Sequence, residues 1–284
     1  MRAGTALWPI LELFHPIPSL LTTAAAVAFG VIFGIPLADA RIVWIIAIML
    51  LVQFSISALN DWADADLDAH ARRRRPIPLR LVSEDTALVV ASGCAAGALL
   101  ASVLAGFGAE AILLVVIGLA SGWAYDLWLK RTPLSVLPFA IAFPLLPLWA
   151  GVVAGRSLGS LALVLLGGIP LAGAIHLADA IPDRDADRAA GVNSLAVTLG
   201  RPGAELVAAG LLLLGTLVSI TVLLSRGGST AISPLIAGVA VAWVVLSLAT
   251  RNADARRGPV FGKWVVIGAA ALAAIPLVVT AGGR

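Results

Sequence analysis

Apolar runs of about 20 residues, the length that crosses roughly 30 Å of hydrocarbon, recur along almost the whole chain. Pro, Gly and charge punctuate them into nine predicted spans, at about 17–38, 42–60, 86–106, 109–128, 133–154, 160–178, 203–225, 231–250 and 261–281. Their connections alternate between short ones, such as Ala38 to Arg41, and two long polar ones, Asn60 to Asp85 and Asp179 to Pro202. The expected fold is all-α, a polytopic membrane bundle forming a single domain over residues 1–284. Spans two and six both run into an Asp-rich segment, while span four ends in Leu129-Lys130-Arg131 and span eight in Arg251. Spans one to four and five to eight therefore read as two four-helix halves with a ninth helix appended. Such repeats commonly place a site between their halves.

Composition narrows the class. Of 284 residues 60% are hydrophobic and 12% charged, against about 25% charged in an ordinary soluble domain. A soluble enzyme core, a disordered chain and a nucleic-acid binder are all excluded on that ground. The net charge of +3 belongs instead to cytoplasmic loops. With the amino terminus inside, 15 of the 19 Lys and Arg residues fall on the inner side, and only Arg41, Arg156, Arg226 and Arg284 fall outside. The expected location is the inner or plasma membrane, with the amino terminus and both long loops cytoplasmic. Met1 to Ser19 lacks the pattern of a cleaved signal peptide, so the first span is expected to be retained. The single cysteine, Cys94, permits no disulfide framework.

Chemistry concentrates in the acidic residues. Eight of the 16 lie in two short segments, Asn60-Asp61-Trp62-Ala63-Asp64-Ala65-Asp66-Leu67-Asp68 and Asp179-Ala180-Ile181-Pro182-Asp183-Arg184-Asp185-Ala186-Asp187. In a helix Asn60, Asp64 and Asp68 share one face with Asp61 beside them, and Asp179, Asp183 and Asp187 repeat that spacing. Carboxylates one turn apart repel, so two such arrays ask for cations between them. Mg2+ suits them, because it takes one or two carboxylates and completes its shell with water and phosphate oxygens. A calcium loop is excluded: its required Gly is Ala69 or Arg188 here, and its bidentate Glu is Arg75 or Ser194.

Basic residues flank both arrays. Arg74, Arg75, Lys130 and Arg184 are candidate diphosphate contacts, whereas Arg72, Arg73, Arg80, Arg256 and Arg257 read as positive-inside anchors. His176, three residues before Asp179, is either a proton acceptor for a second substrate or a structural histidine satisfied by a neighbouring helix. Glu110 reads as an interfacial charge.

The stretch Asn60-Asp61-x-x-Asp64-x-x-x-Asp68 with Arg74-Arg75-Pro76-Ile77-Pro78 resembles the first signature of the UbiA superfamily of intramembrane prenyltransferases. Asp179-x-x-x-Asp183-x-x-x-Asp187, with the trailing Gly191, Asn193-Ser194-Leu195 and Thr198-Leu199-Gly200, resembles the second. The resemblance covers nearly the whole chain. It implies nine helices around a central cavity that opens to the cytoplasm, and transfer of an isoprenyl group from a prenyl diphosphate to an aromatic or lipid-precursor acceptor. Two Mg2+ ions would bridge the diphosphate and the aspartates, held by Asn60, Asp61, Asp64 and Asp68 on one side and by Asp179, Asp183 and Asp187 on the other. The same resemblance makes Asp64, Asp183, Lys130 and Tyr125 the catalytic set and Asn60, Arg74, Arg75, Lys130 and Arg184 the diphosphate set. Asp66 and Asp185 are off the four-residue spacing and are expected to be solvated.

Two details depart from the family. Many members place three residues between Tyr and Lys after the fourth span, and this chain places four between Tyr125 and Lys130. Pro182 sits inside the second motif, where it either breaks span six or begins a new short helix. Trp62, Trp123 and Trp128 are candidate walls around an allylic cation or interfacial anchors. Two rival functions fit the same motifs less directly: a terpene cyclase on this scaffold, which needs no acceptor, and a cation-coupled transporter, which would carry its charges near mid-span.

Overall fold

A computed structural model describes residues 4–70, 73–225 and 258–282. The predicted eighth span and Arg251, Arg256 and Arg257 lie outside the described residues, as does Arg72. Everything regular within them is helical: α1 (Gly4–Leu13), α2 (Pro16–Ile32), α3 (Ala40–Ala63), α4 (Ala65–His70), α5 (Glu84–Leu104), α6 (Ala109–Leu127), a 3₁₀ turn (Leu129–Arg131), α7 (Val136–Val153), α8 (Leu158–Leu161), α9 (Leu163–Ala180), α10 (Arg184–Ala189), α11 (Leu195–Ser225) and α12 (Gly258–Gly282). Six of these, α3, α5, α6, α7, α9 and α11, are long and apolar enough to cross a membrane. The protein is thus a multi-pass membrane protein. Two shorter apolar stretches, Pro16–Ile32 and Lys263–Ile275, fall on the first and ninth predicted spans.

Helix ends follow local chemistry. Asp39 caps α3 by accepting from the Arg41 N–H at 2.9 Å, and Ser83 caps α5 by accepting from Thr86 N–H at 3.1 Å. The Arg41 guanidinium, 2.7 Å from Asp39, holds that carboxyl down to about 2. Gly106 and Gly108, at φ 69° and 88°, separate α5 from α6 where the sequence divides the third and fourth spans. The seventh span begins earlier than its apolar pattern does. α11 starts at Leu195 and bends at Gly200 (φ 68°, ψ 165°), after which Pro202 sits in the first turn of the resumed helix.

The chain divides into two compact units, Met1–Leu127 with Trp149–Gly155, and Trp128–Leu148 with Arg156–Arg284. In the first unit α3 packs against α2, α5 and α6. Gly122 lets α6 approach α3 closely, since a Cβ there would lie 2.5 Å from Ile56 Cδ1. A core of Leu13, Ala58, Leu59, Ala65, Ala87 and Ala91 also takes in Ile77 and Val82, and so pins the polar loop after α4. In the second unit α9, α11 and α12 share a core of Leu171, Ala174, Leu212, Val266, Ala270 and neighbours. Gly167 and Gly215 bring α9 and α11 together there, because a Cβ on Gly215 would sit 3.1 Å from the Gly167 carbonyl oxygen.

Candidate functional site

The first acidic array lies at the end of α3 and in α4. Asp64 interrupts the helix as its C-cap, yet its N–H donates to Asn60 O at 3.0 Å and its carbonyl accepts from Asp68 N–H at 2.8 Å. The four-residue hydrogen-bond rhythm therefore passes through the break and keeps Asn60, Asp64 and Asp68 in step. Burial differs along the array. Asp61 and Asp68 are buried, Asn60 and Asp64 half-buried, and Asp66 exposed as its spacing predicts.

Asp61 is 2% exposed and stands beside His15 and Arg75. Its Oδ1 lies 2.9 Å from His15 Nε2 and 3.8 Å from an Arg75 guanidinium nitrogen. The same Nε2 lies 3.0 Å from Arg75. One ring nitrogen cannot donate and accept at once: protonated it serves Asp61, and bare it accepts from Arg75. Asp61 Oδ2 is buried with no hydrogen-bond partner among the described residues, an arrangement that is costly unless a cation takes that oxygen. His15 itself has φ 41° and ψ 67° and directly precedes Pro16, a conformation that a non-glycine residue adopts at a cost of about 1–3 kcal/mol. The left-handed kink between α1 and α2 is what delivers its ring to the array.

Asp68 approaches Arg73 at 3.4 Å and Arg75 at 4.0 Å. Burial still dominates, pushing the Asp68 carboxyl up, with Arg73 opposing and Asp64 adding to the rise. A raised carboxyl contributes stability that is complete below the ordinary value of about 4 and is lost as pH rises through the raised one. Asp68→Asn should therefore raise Tm in EDTA at pH 7.5, with the gap over the parent protein closing below about pH 4. Thermal unfolding in detergent at both pH values measures this. Two arginines reach the array: Arg75, and Arg73, which was expected to be an anchor; Arg74 is exposed.

Asn60 makes one more contact. Its Nδ2 donates to Asp126 Oδ1 at 2.8 Å, from the last turn of α6. Tyr125 beside it is half-buried. Helix α6 stops at Leu127, Trp128 takes φ −138°, and Lys130 follows in the 3₁₀ turn. The extra residue between Tyr125 and Lys130 is thus absorbed at a helix break, and a continuous-helix rotation does not apply. Trp123 packs in the first unit's core and donates from Nε1 to Ser55 at 3.0 Å, and Trp62 packs in the same core. Trp128 is 66% exposed, which suits an interfacial anchor.

In the second array the shared helix face does not form. α9 ends at Ala180, Ile181 to Asp183 make a turn, and α10 begins at Arg184. Pro182 breaks the span and stands one residue before the N-cap, so it is not a first-turn proline. Asp179 is ion-paired with Lys263 of α12. Asp183 is exposed, and its carboxylate makes no capping bond to α10. Asp187 is half-buried, and its N–H donates to Asp183 O at 2.9 Å. Arg184 is paired with Asp185, whose side chain is 82% exposed.

His176 is tied into the fold by a neighbouring segment: its Nε2 lies 2.9 Å from Ser135 Oγ, which also accepts from Leu195 N–H at 3.1 Å. The ring is buried against Phe139, with centroids 4.6 Å apart.

No three His, Cys, Asp or Glu side chains converge in a closed ligand cluster among the described residues. Mg2+ does not require one, because one or two carboxylates with water and phosphate oxygens complete its shell. The open oxygen of Asp61 and the amide of Asn60 fit that demand in the first unit, and the exposed, uncapped Asp183 offers a carboxylate in the second. His15 and Asp126 stand against the first array and Lys263 against the second, unannounced by motif spacing.

The model of the UbiA prenyltransferase family matches residues 17–267. The 4-hydroxybenzoate octaprenyltransferase of Serratia proteamaculans is 31% identical over 235 residues, covering 78% of this chain and 77% of that protein. The digeranylgeranylglyceryl phosphate synthase of Korarchaeum cryptofilum is 28% identical over 167 residues, and the match spans only 57% of its length. A UbiA homolog from Archaeoglobus fulgidus, solved with GPP and Mg2+, superposes with a TM-score of 0.75 at 18% identity, covering 96% of this chain and 98% of that one. That last likeness establishes the fold. Together these findings show that the chain belongs to the UbiA prenyltransferase family.

Proposed function

We propose that the chain transfers an isoprenyl group from a prenyl diphosphate to an aromatic or lipid-precursor acceptor in the membrane, by Mg2+-dependent ionisation of the allylic diphosphate. The observation that carries this reading is the pair of acidic arrays, each with at least one carboxylate oxygen not spent on the fold. In the proposed arrangement a single domain of nine spans, built from two four-helix halves, has its amino terminus and a central cavity on the cytoplasmic side. The 15 to 4 division of positive charge supports that orientation.

Asn60, Asp61, Asp64 and Asp68 would hold one ion, and Asp179, Asp183 and Asp187 the other. Mg2+ supplies positive charge to the leaving diphosphate when bound. Arg74, Arg75, Lys130 and Arg184 bind phosphate oxygens and neutralise the charge that builds on them as the C–O bond breaks. Tyr125 helps to position the diphosphate end. Apolar side chains of the spans shield the allylic cation from water until the acceptor attacks and gives up its proton. Lys263 holds the Asp179 carboxylate in place before an ion arrives.

The relatives act, by their names, on 4-hydroxybenzoate or make digeranylgeranylglyceryl phosphate, and both acceptor classes belong in the assay. Purified protein with geranylgeranyl diphosphate, Mg2+ and each acceptor, followed by mass spectrometry of extracted lipid, tests the reading. A product equal in mass to acceptor plus prenyl group less one hydrogen supports transfer. A cyclised hydrocarbon formed equally well without acceptor would replace transfer with the cyclase reading.

A further inference from the structure

We propose that Asp126 is a positioning residue that fixes the Asn60 amide in the one orientation able to serve a cation. This rests on the reading of the first array as a metal site. Asp126 is 2% exposed at the end of α6 and accepts from Asn60 Nδ2 at 2.8 Å, across 66 residues of sequence. In this pairing the carboxyl oxygen accepts, so Asp126 faces the nitrogen end of the amide. The Asn60 Oδ1 is then the end left over. A hard divalent cation takes a carbonyl oxygen of that kind and is repelled by an amide NH2.

A serine or asparagine in place of Asp126 would satisfy the amide too, but would accept either of its ends and leave the orientation unfixed. An apolar residue would pack α6 against α3 at lower cost, since a charge within an apolar span is expensive to bury. A carboxyl oxygen there does what an apolar substitute cannot: it holds the nitrogen end of Asn60. Groups that orient metal ligands in this way typically change metal affinity by about 10- to 100-fold when removed.

The test is Mn2+ binding to the detergent-purified full chain, read by loss of the free-ion electron paramagnetic resonance signal, with thermal unfolding as the folding control. Asp126→Leu should weaken binding by about 10- to 100-fold, and Asp126→Asn by less. Because Asp126 acts through Asn60, the two effects should not add. In an Asn60→Ala background either substitution should cost almost nothing further. Should Asp126→Leu fail to fold, Asp126→Asn in the two backgrounds makes the same comparison. Unchanged binding in folded variants, or an equal loss with and without Asn60, overturns the positioning role. Failure of the unsubstituted protein to bind Mn2+ overturns the metal reading of the array, and the role of Asp126 with it.

Discussion

Asp64→Ala is expected to lower Mg2+-dependent turnover by about 10³-fold or more, roughly 4 kcal/mol of lost transition-state stabilisation, while the protein remains folded. Its side chain is half-buried where α3 gives way to α4. The hydrogen bonds that carry the helix past this point, Asp64 N–H to Asn60 O and Asp68 N–H to Asp64 O, belong to the backbone. Alanine keeps both and favours helix. The helix is therefore kept, and an unchanged size-exclusion profile should accompany the loss of turnover. Asp66→Ala supplies the contrast: two residues away but exposed, it should alter turnover by less than about 2-fold.

Asp183→Ala should be as damaging, for a reason that the structure makes cleaner. The residue occupies the N-cap position of α10, but its carboxylate makes no capping hydrogen bond, and it is exposed. Truncating it removes little that holds the fold together. What it removes is a carboxylate of the second array, so stability should stay level while turnover falls by about 10³-fold. Asp185→Ala, again two residues along, breaks only the surface pair with Arg184, worth at most about 1 kcal/mol. It frees Arg184 for a phosphate oxygen, and turnover should hold or rise. Equal losses for Asp183→Ala and Asp185→Ala would mean that charge density, and not placement, is what matters in this segment.

The spans were legible because hydrocarbon crossing imposes a length that composition alone reveals. Their ends were less so. The first span stops at Ile32, before Gly34 and Pro36, where the apolar run continues but the backbone turns. The seventh begins at Leu195, eight residues before its apolar pattern, because that start is held by a long-range bond from Leu195 N–H to Ser135. The four-residue spacing of the first array correctly brought Asn60, Asp64 and Asp68 into step. The same spacing misled in the second, where Pro182 cuts the helix and Asp179 lies on a different element from Asp187. The break was visible as a choice in the sequence, but which side of it the new helix would begin on was not.

The contacts of the site were legible only in part. Asp126 carried a signal, since a carboxylate inside an apolar span is a functional candidate on cost alone. His15 carried a weaker one: a titratable residue directly before a proline at the mouth of the first span. Lys263 looked like any positive-inside lysine. Their partners lie 46, 66 and more residues away, and no local pattern encodes such a pairing. Burial is equally non-local. Spacing marks Asp66 as solvated, but nothing in the array itself distinguishes buried Asp61, enclosed with His15 and Arg75, from half-buried Asp64.

The central claim is that these arrays ionise an allylic diphosphate with the help of Mg2+. Release of inorganic diphosphate from geranylgeranyl diphosphate by the purified protein, across a panel of acceptors with Mg2+ or with EDTA, measures it most directly. The account predicts release that requires Mg2+, stops in EDTA and is lost in both Asp64→Ala and Asp183→Ala. Release that persists in EDTA or in those variants, or no release with any acceptor, would contradict it.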